Sequence, residues 1–204
     1  MIIVLLVEGK TEMVFKDYLR KYLENRLQGN MPKLVFHPYH GRIPTNERLK
    51  RIVTNHLNGK NPADHVIALT DVYTGTSPPV FSDAAEAKAK MRDWVGTEER
   101  FHPHVALYDF ESWLLPFWPT IQRLAKHKKN VPSGVPEAVN HNKPPSYHIR
   151  EIFEIGQGRD SYSKPRDAKR ILNDNDLSIA IDRCPELKSF INTILLLCGG
   201  TKIL

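Results

Sequence analysis

The sequence predicts an α/β protein: a parallel, four-stranded sheet with helices on both faces, followed by a helical C-terminal appendage. Three observations lead to that expectation. In the first half, short aliphatic runs alternate with stretches of helical apolar spacing, the pattern of strands joined by crossover helices. Three of those strands run directly into a carboxylate, at Glu8, at Asp71 and at Asp109-Phe110-Glu111. Beyond Trp118 no strand is evident, and helical pieces are separated by Pro132, Pro136, Pro144-Pro145, Pro165 and Pro185. The organisation expected is therefore an α/β core over residues 1–118 and a helical appendage over 119–204, packed on the core.

Ile2 to Val7 is apolar at every position, as a strand buried on both faces should be. Phe15, Tyr18, Leu19, Tyr22, Leu23 and Leu27 then recur at helical spacing, predicting a helix from about Thr11 to Leu27 that ends at Gly29-Asn30-Met31-Pro32. Leu34-Val35-Phe36 reads as a short second strand. Leu49, Ile52, Val53 and Leu57 mark a second helix, closed by Asn58-Gly59. His65 to Thr70 is the third strand, and a loop from Val72 to Phe81 follows. Ser82 or Asp83 can cap a third helix reaching about Val95, and the fourth strand spans roughly His102 to Tyr108. Asp109 and Glu111 are expected to open a helix containing Trp113, Leu114, Leu115 and Phe117.

The 204 residues suffice for one domain with a real core. With 29 Lys+Arg against 23 Asp+Glu the formal charge is +6 and the pI near 9.3, the balance expected of a nucleic-acid binder. Basic residues gather in Arg123-Leu124-Ala125-Lys126-His127-Lys128-Lys129. Cys184 and Cys198, the only cysteines, are too few for a disulfide framework and read as buried structural thiols. The apolar start lacks a preceding basic region and stops at Glu8, so it reads as a strand and not a signal peptide. No segment approaches the roughly 18 apolar residues of a membrane span. The expected address is the cytoplasm.

Gly9-Lys10-Thr11 invites a phosphate-loop reading, but that motif needs a glycine five residues before Gly9, where Val4 stands. What remains is an acid at a strand end, a glycine at the turn and a second acid, Glu12, one helical turn on. In open α/β sheets ligands bind outside the carboxyl ends of the strands. Acids delivered to that edge form an oxygen-rich site for a hard divalent cation. For Glu12, complementing the helix dipole is an equally good reading, and Asp109 and Glu111 can likewise serve as helix caps. His102 and His104 lack zinc-site spacing and read as packing residues. Trp94, Trp113 and Trp118 read as core.

Val7-Glu8-Gly9-Lys10-Thr11-Glu12, followed two strands later by Thr70-Asp71, resembles the Toprim domain of topoisomerases, primases and OLD-type (overcoming lysogenization defect) nucleases. With Tyr108-Asp109-Phe110-Glu111-Ser112-Trp113-Leu114-Leu115 and Tyr162-Ser163-Lys164, the chain more narrowly resembles small stand-alone bacterial Toprim-like proteins, akin to RloB and to the nuclease half of OLD proteins. The stretches Gly134 to Asn140, Pro145-Ser146 and Ile179 to Pro185 extend the likeness over nearly the whole chain. The resemblance implies a Toprim-like fold and metal-dependent chemistry on nucleic-acid phosphodiesters, with Mg²⁺ or Mn²⁺ as cofactor. It implies Glu8, Glu12, Asp71, Asp109 and Glu111 as metal ligands, and Glu8, Glu111 and Lys164 as catalytic groups. The family's Asp-x-Asp is here Asp71-Val72-Tyr73, so Asp109 or Glu111 must fill the missing coordination. Lys10, Arg123, Lys126, Lys128 and Lys129 are the expected nucleic-acid contacts, and the OLD likeness implies a separate ATPase partner and a role in defence against phage. Two rival expectations stand beside the nuclease: a non-catalytic module that binds nucleic acid or docks on an ATPase, and a phosphohydrolase of small molecules.

Overall fold

Four strands, β1 (Ile2–Val7), β2 (Lys33–Pro38), β3 (His65–Asp71) and β4 (Phe101–Ala106), form one parallel sheet in the order β2-β1-β3-β4. This computed structural model describes residues 1–72, 81–140, 142–159 and 161–204. The loop predicted between β3 and the third helix, with Tyr73 in it, lies almost wholly outside the described residues.

Each parallel connection needs a crossover, and the helices supply it. Along β1, Ile3, Leu5 and Val7 point to one face and Val4 and Leu6 to the other, as the two-residue pleat requires. The first face is covered by helix α1 (Lys10–Leu27), which lays down Phe15, Leu19, Leu23 and Leu27. The second is covered by α2 (Asn46–Asn58) through Leu49, Val53 and Leu57, and by α3 (Ala84–Val95) through Ala87, Met91 and Val95. Asp83 caps α3, its side chain accepting the Glu86 N–H at 2.8 Å.

After β4 the chain departs from the expected helix. Tyr108 takes a left-handed conformation (φ 69°), and two 3₁₀ turns, Phe110–Trp113 and Leu115–Phe117, precede α4 (Trp118–Ala125). The acids at 109 and 111 thus lie on a tight turn, where Pro116 and Pro119 keep the segment from becoming one continuous helix. The remaining helices are α5 (Pro145–Gln157), α6 (Lys164–Asn173), α7 (Leu177–Arg183) and α8 (Pro185–Leu197).

The helical half shares its core with the sheet. Phe190, Ile191, Ile194 and Leu195 of α8 belong to the same apolar cluster as Ile3, Leu5 and Val7. Two polar anchors fix this packing. Buried Glu137 accepts the Trp113 indole N–H (2.9 Å) and the backbone N–H groups of Glu186 (2.9 Å) and Leu187 (3.2 Å), and so caps the start of α8. His104 of β4 bonds Thr193 of α8 at 3.0 Å and sets its ring edge-on against Phe190. Gly156 lets α5 approach α4, since a Cβ there would sit 1.9 Å from the Ala125 carbonyl oxygen. Both cysteines are free and buried, as expected. No helix among the described residues is long and apolar enough to cross a membrane.

Candidate functional site

The strand order places β1 between β2 and β3, so the connection from β1 to β2 and the one from β2 back to β3 run in opposite directions across the sheet. That is the topological switch point at which open α/β sheets bind ligands. Glu8 is the first residue past β1 and Asp71 the last of β3, so both carboxylates stand at this point. A cleft of about 410 Å³ opens there, lined by Glu8, Gly9, Lys10, Thr11, Glu12, His40, Gly41, Asp71, Phe110, Glu111, Lys164 and Pro165. Residues from β1, β3, the turn after β4 and the start of α6 therefore meet in one cleft. The helical half contributes its lysine directly.

Each acid is held by a definite partner. Glu8 Oε1 accepts the Thr70 hydroxyl and the Asp71 backbone N–H (3.1 Å), which ties the end of β1 to the end of β3. Glu12 Oε2 accepts the Gly9 N–H at 3.1 Å. Glu12 thus completes the helix N-terminus, and it also lines the cleft. Asp109 Oδ2 accepts the Ser146 N–H at 3.2 Å, while its buried Oδ1 has no hydrogen-bond partner. Asp109 lies just behind the cleft wall. Glu111, only 1% exposed, forms an ion pair with Lys164 at 3.0 Å and accepts the Tyr162 hydroxyl at 3.4 Å.

Burial, and then mutual repulsion, raises the proton affinity of Glu8, Glu12, Asp71 and Asp109. Burial pushes Glu8 up, with Thr70, the Asp71 N–H, Arg42 and Lys164 pulling the other way. Burial and then the neighbouring charge of Glu8 push Glu12 up to about 7. Asp109 is pushed up to about 7 by burial and by Glu111, with Lys164 opposing. Asp71 is raised furthest in character, by burial and by the charges of Glu8, Asp109, Glu12 and Glu111 together. Desolvation pulls the Lys164 ammonium down, but Glu111 and Asp109 outweigh it and keep the ammonium charged.

This donor set fits a hard divalent cation. All its ligating atoms are oxygens, and the buried orphan oxygen of Asp109 and the mutual repulsion of the acids are what a dication relieves. The acids are nonetheless spread around the cleft. Among the described residues no three His, Cys, Asp or Glu side chains stand close enough to share one ion, and Lys164 neutralises Glu111.

Of the residues expected to contact nucleic acid, Lys10 lines the cleft. The α4 group does not. Arg123 pairs with Asp174 and Lys129 with Glu151, while Lys126 and Lys128 line a separate cavity with Gln122, Arg123 and His127. Sequence reading passed over Thr70, Arg42 and Asp167. Asp167, fully buried, accepts the Ser163 N–H (2.7 Å) and pairs with Arg166 (2.7 Å) and Arg170 (2.9 Å), anchoring the helix start that carries Lys164. Its signal was a Ser followed four residues on by Asp across a proline, a helix-start pattern.

A parallel sheet of this order, covered by helices on both faces, defines an α/β module. The fold is similar to that of the C-terminal region of the Burkholderia pseudomallei OLD protein, with a TM-score of 0.54 and 13% identity over 96% of this chain and 98% of that one. The C-terminal region of the Xanthomonas campestris pv. campestris OLD protein aligns at a TM-score of 0.47 and 14% identity, covering 97% of each chain. At 13% identity the likeness to the Burkholderia protein is one of fold. The chain belongs to the family described as domain of unknown function DUF4276, whose model matches residues 7–195. No curated protein matches it.

Proposed function

We propose that the cleft at the switch point is the catalytic centre of a metal-dependent nuclease. The observation that carries this reading is the meeting of Glu8 and Asp71 at two strand ends, Glu12 at the start of α1 and Glu111 in the turn after β4 with Lys164 in a single cleft. Glu8, Asp71 and Glu111, which would have to draw together around the ion, are the residues that would hold Mg²⁺ or Mn²⁺, with Glu12 on the cleft wall and Asp109 behind it. When bound, the ion supplies Lewis-acid polarisation of a phosphoryl oxygen and a more acidic water. The protein's own part is positioning and electrostatics. Thr70 and the Asp71 N–H fix one Glu8 oxygen. Lys164, charged, paired with Glu111 and held by the Asp167-anchored start of α6, would donate to a phosphate oxygen as charge develops on it. Lys10 and the +6 formal charge favour a polyanionic substrate.

Two wider elements of this proposal rest on the likeness to OLD-type proteins alone: a separate ATPase as partner, and action in defence against phage. The reading is tested with purified protein, Mn²⁺ and labelled single- and double-stranded DNA and RNA. Wild type should bind Mn²⁺ and cut at least one of these substrates, and Asp71→Asn should weaken Mn²⁺ binding at least tenfold and abolish cutting while folding normally. Wild type that cuts none of them, and binds Mn²⁺ no better than Asp71→Asn, overturns the reading. Salt-sensitive oligonucleotide binding without cleavage would instead support the non-catalytic module, which Tyr73 in place of a second aspartate favours.

A further inference from the structure

A second cavity, of about 610 Å³, adjoins the segment that borders the catalytic cleft. It is lined by Tyr39, Arg42, Ile43, Pro44, Thr45, Asn46, Arg48 and Trp94. Its chemistry is opposite to that of the cleft. Two exposed arginines face a wall of two half-buried aromatic rings and the buried Ile43 and Pro44, and none of its described lining residues is acidic. Its size is that of a small-ligand site.

The backbone couples this cavity to the catalytic cleft. The Tyr39 N–H donates to the Val7 carbonyl at 3.0 Å and the Gly41 N–H to the Glu8 carbonyl at 2.9 Å, so the segment after β2 is sewn to the end of β1. His40 and Gly41 line the cleft, and Tyr39 and Arg42 on either side of them line the cavity. Arg42 is near enough to Glu8 to oppose the rise in its pKa. Burial raises the pKa of the Tyr39 phenol, and Arg48 is near enough to oppose that rise. The Tyr39 hydroxyl is buried without a hydrogen-bond partner, a polar group left over in the cavity wall. The rim also includes Thr45 at the start of α2, but Glu47 in the first turn of that helix offsets its dipole, so the positive character comes from the arginines.

We propose that this cavity is a nucleotide subsite: it takes the nucleotide next to the scissile phosphodiester of a single-stranded substrate, stacking its base on Trp94 and Tyr39 and binding its phosphate with Arg42 and Arg48. Assigning that nucleotide to the position beside the cut rests on the nuclease reading above. The stacking wall selects single strands, because a base must leave its duplex stack to reach it, and it is tolerant of sequence because every base has a π face. The arginines draw the backbone toward a cleft whose own lining is acidic, which answers how a polyanion can approach four carboxylates.

The test is fluorescence anisotropy of a labelled 12-nucleotide single strand with the full chain and Ca²⁺, alongside intrinsic tryptophan emission. Trp113 and Trp118 are buried, so a quench on binding reports on Trp94. Arg48→Ala, at an exposed position, should weaken binding about tenfold and lower the salt slope by about 0.7. Trp94→Leu should weaken it about fivefold or more. Trp94→Phe should bind nearly as wild type yet lose the quench, and it guards against a folding defect in the leucine variant. Wild-type affinity and salt slope in both Arg48→Ala and Trp94→Leu would overturn the subsite, as would a quench that survives Trp94→Phe. Equal loss of duplex and single-strand binding in these variants would overturn its preference for single strands. Mn²⁺-dependent cleavage separates the two proposals: cutting by wild type with no effect of the variants refutes the subsite alone, whereas the expected binding losses without cutting refute the nuclease alone.

Discussion

Lys164→Met isolates catalysis from metal holding. Methionine keeps the length and apolar stem of lysine but removes the charge, so Glu111, 1% exposed, keeps only the Tyr162 hydroxyl at 3.4 Å. Breaking a buried pair by deleting one partner costs about 3–5 kcal/mol. Lys164 is 42% exposed, so water takes over part of its role and the expected loss is smaller, about 1–2 kcal/mol by urea denaturation. Pairing it with Glu111→Gln should return most of that loss, because the stranded charge is gone. The effect on turnover should be larger. A positioned donor to a developing phosphate charge contributes about 10²–10³ in rate, and neither variant should recover it. Mn²⁺ affinity should move the other way, tightening about fivefold for ~1 kcal/mol of lost competition, since the ammonium no longer neutralises Glu111. The assay is single-turnover cleavage of a labelled oligonucleotide at saturating Mn²⁺, with calorimetric metal titration of the same preparations. Folded Lys164→Met that cuts within threefold of wild type would show that the lysine is only a counter-charge to Glu111, and the catalytic role assigned to it would be wrong.

Glu137→Ala should destabilise the chain by about 3 kcal/mol in urea, because the Trp113 indole and two N–H groups at the start of α8 lose their acceptor at once; a loss under 1 kcal/mol would refute its role as the cap. His104 should make stability sensitive to acid. Burial lowers its pKa from 6.5 to about 3, so between those values the unfolded chain holds a proton that the folded one refuses, and stability falls as pH drops through that window. The slope attributable to it approaches ~1.4 kcal/mol per pH unit, and urea midpoints of wild type and His104→Gln from pH 7 to 5 should converge on acidification; parallel curves would refute it. Lys10→Ala should weaken oligonucleotide binding and lower its salt slope by about 0.7, whereas Arg123→Ala and Lys129→Ala, whose charges are paired outside the cleft, should change it little. The reverse order of effects would move the nucleic-acid path to α4.

The architecture was legible in the chain because its signals are local. The uninterrupted apolar run Ile2–Val7 and the helical spacing of Phe15, Leu19, Leu23 and Leu27 each specify one element without knowledge of the rest, and the observed bounds of α1, α2 and α3 fall within a few residues of those expected. The acids at 8 and 71 were also legible, since a charge ending a buried strand of a parallel sheet must emerge at its carboxyl edge. Other features depended on distance. The turn at Tyr108 and the two 3₁₀ segments replaced the expected helix, because local spacing does not report where prolines and a left-handed residue force the chain to bend. Charge alone could not divide the lysines. Lys10 and Lys164 reach the cleft while Lys129 ends on Glu151, a partner 22 residues away that only packing of α5 brings near. Most of all, the strand order β2-β1-β3-β4 placed Glu8 beside Asp71 and the Tyr39–Gly41 segment beside Glu8, because strand pairing joins residues far apart in sequence that share no pattern along the chain.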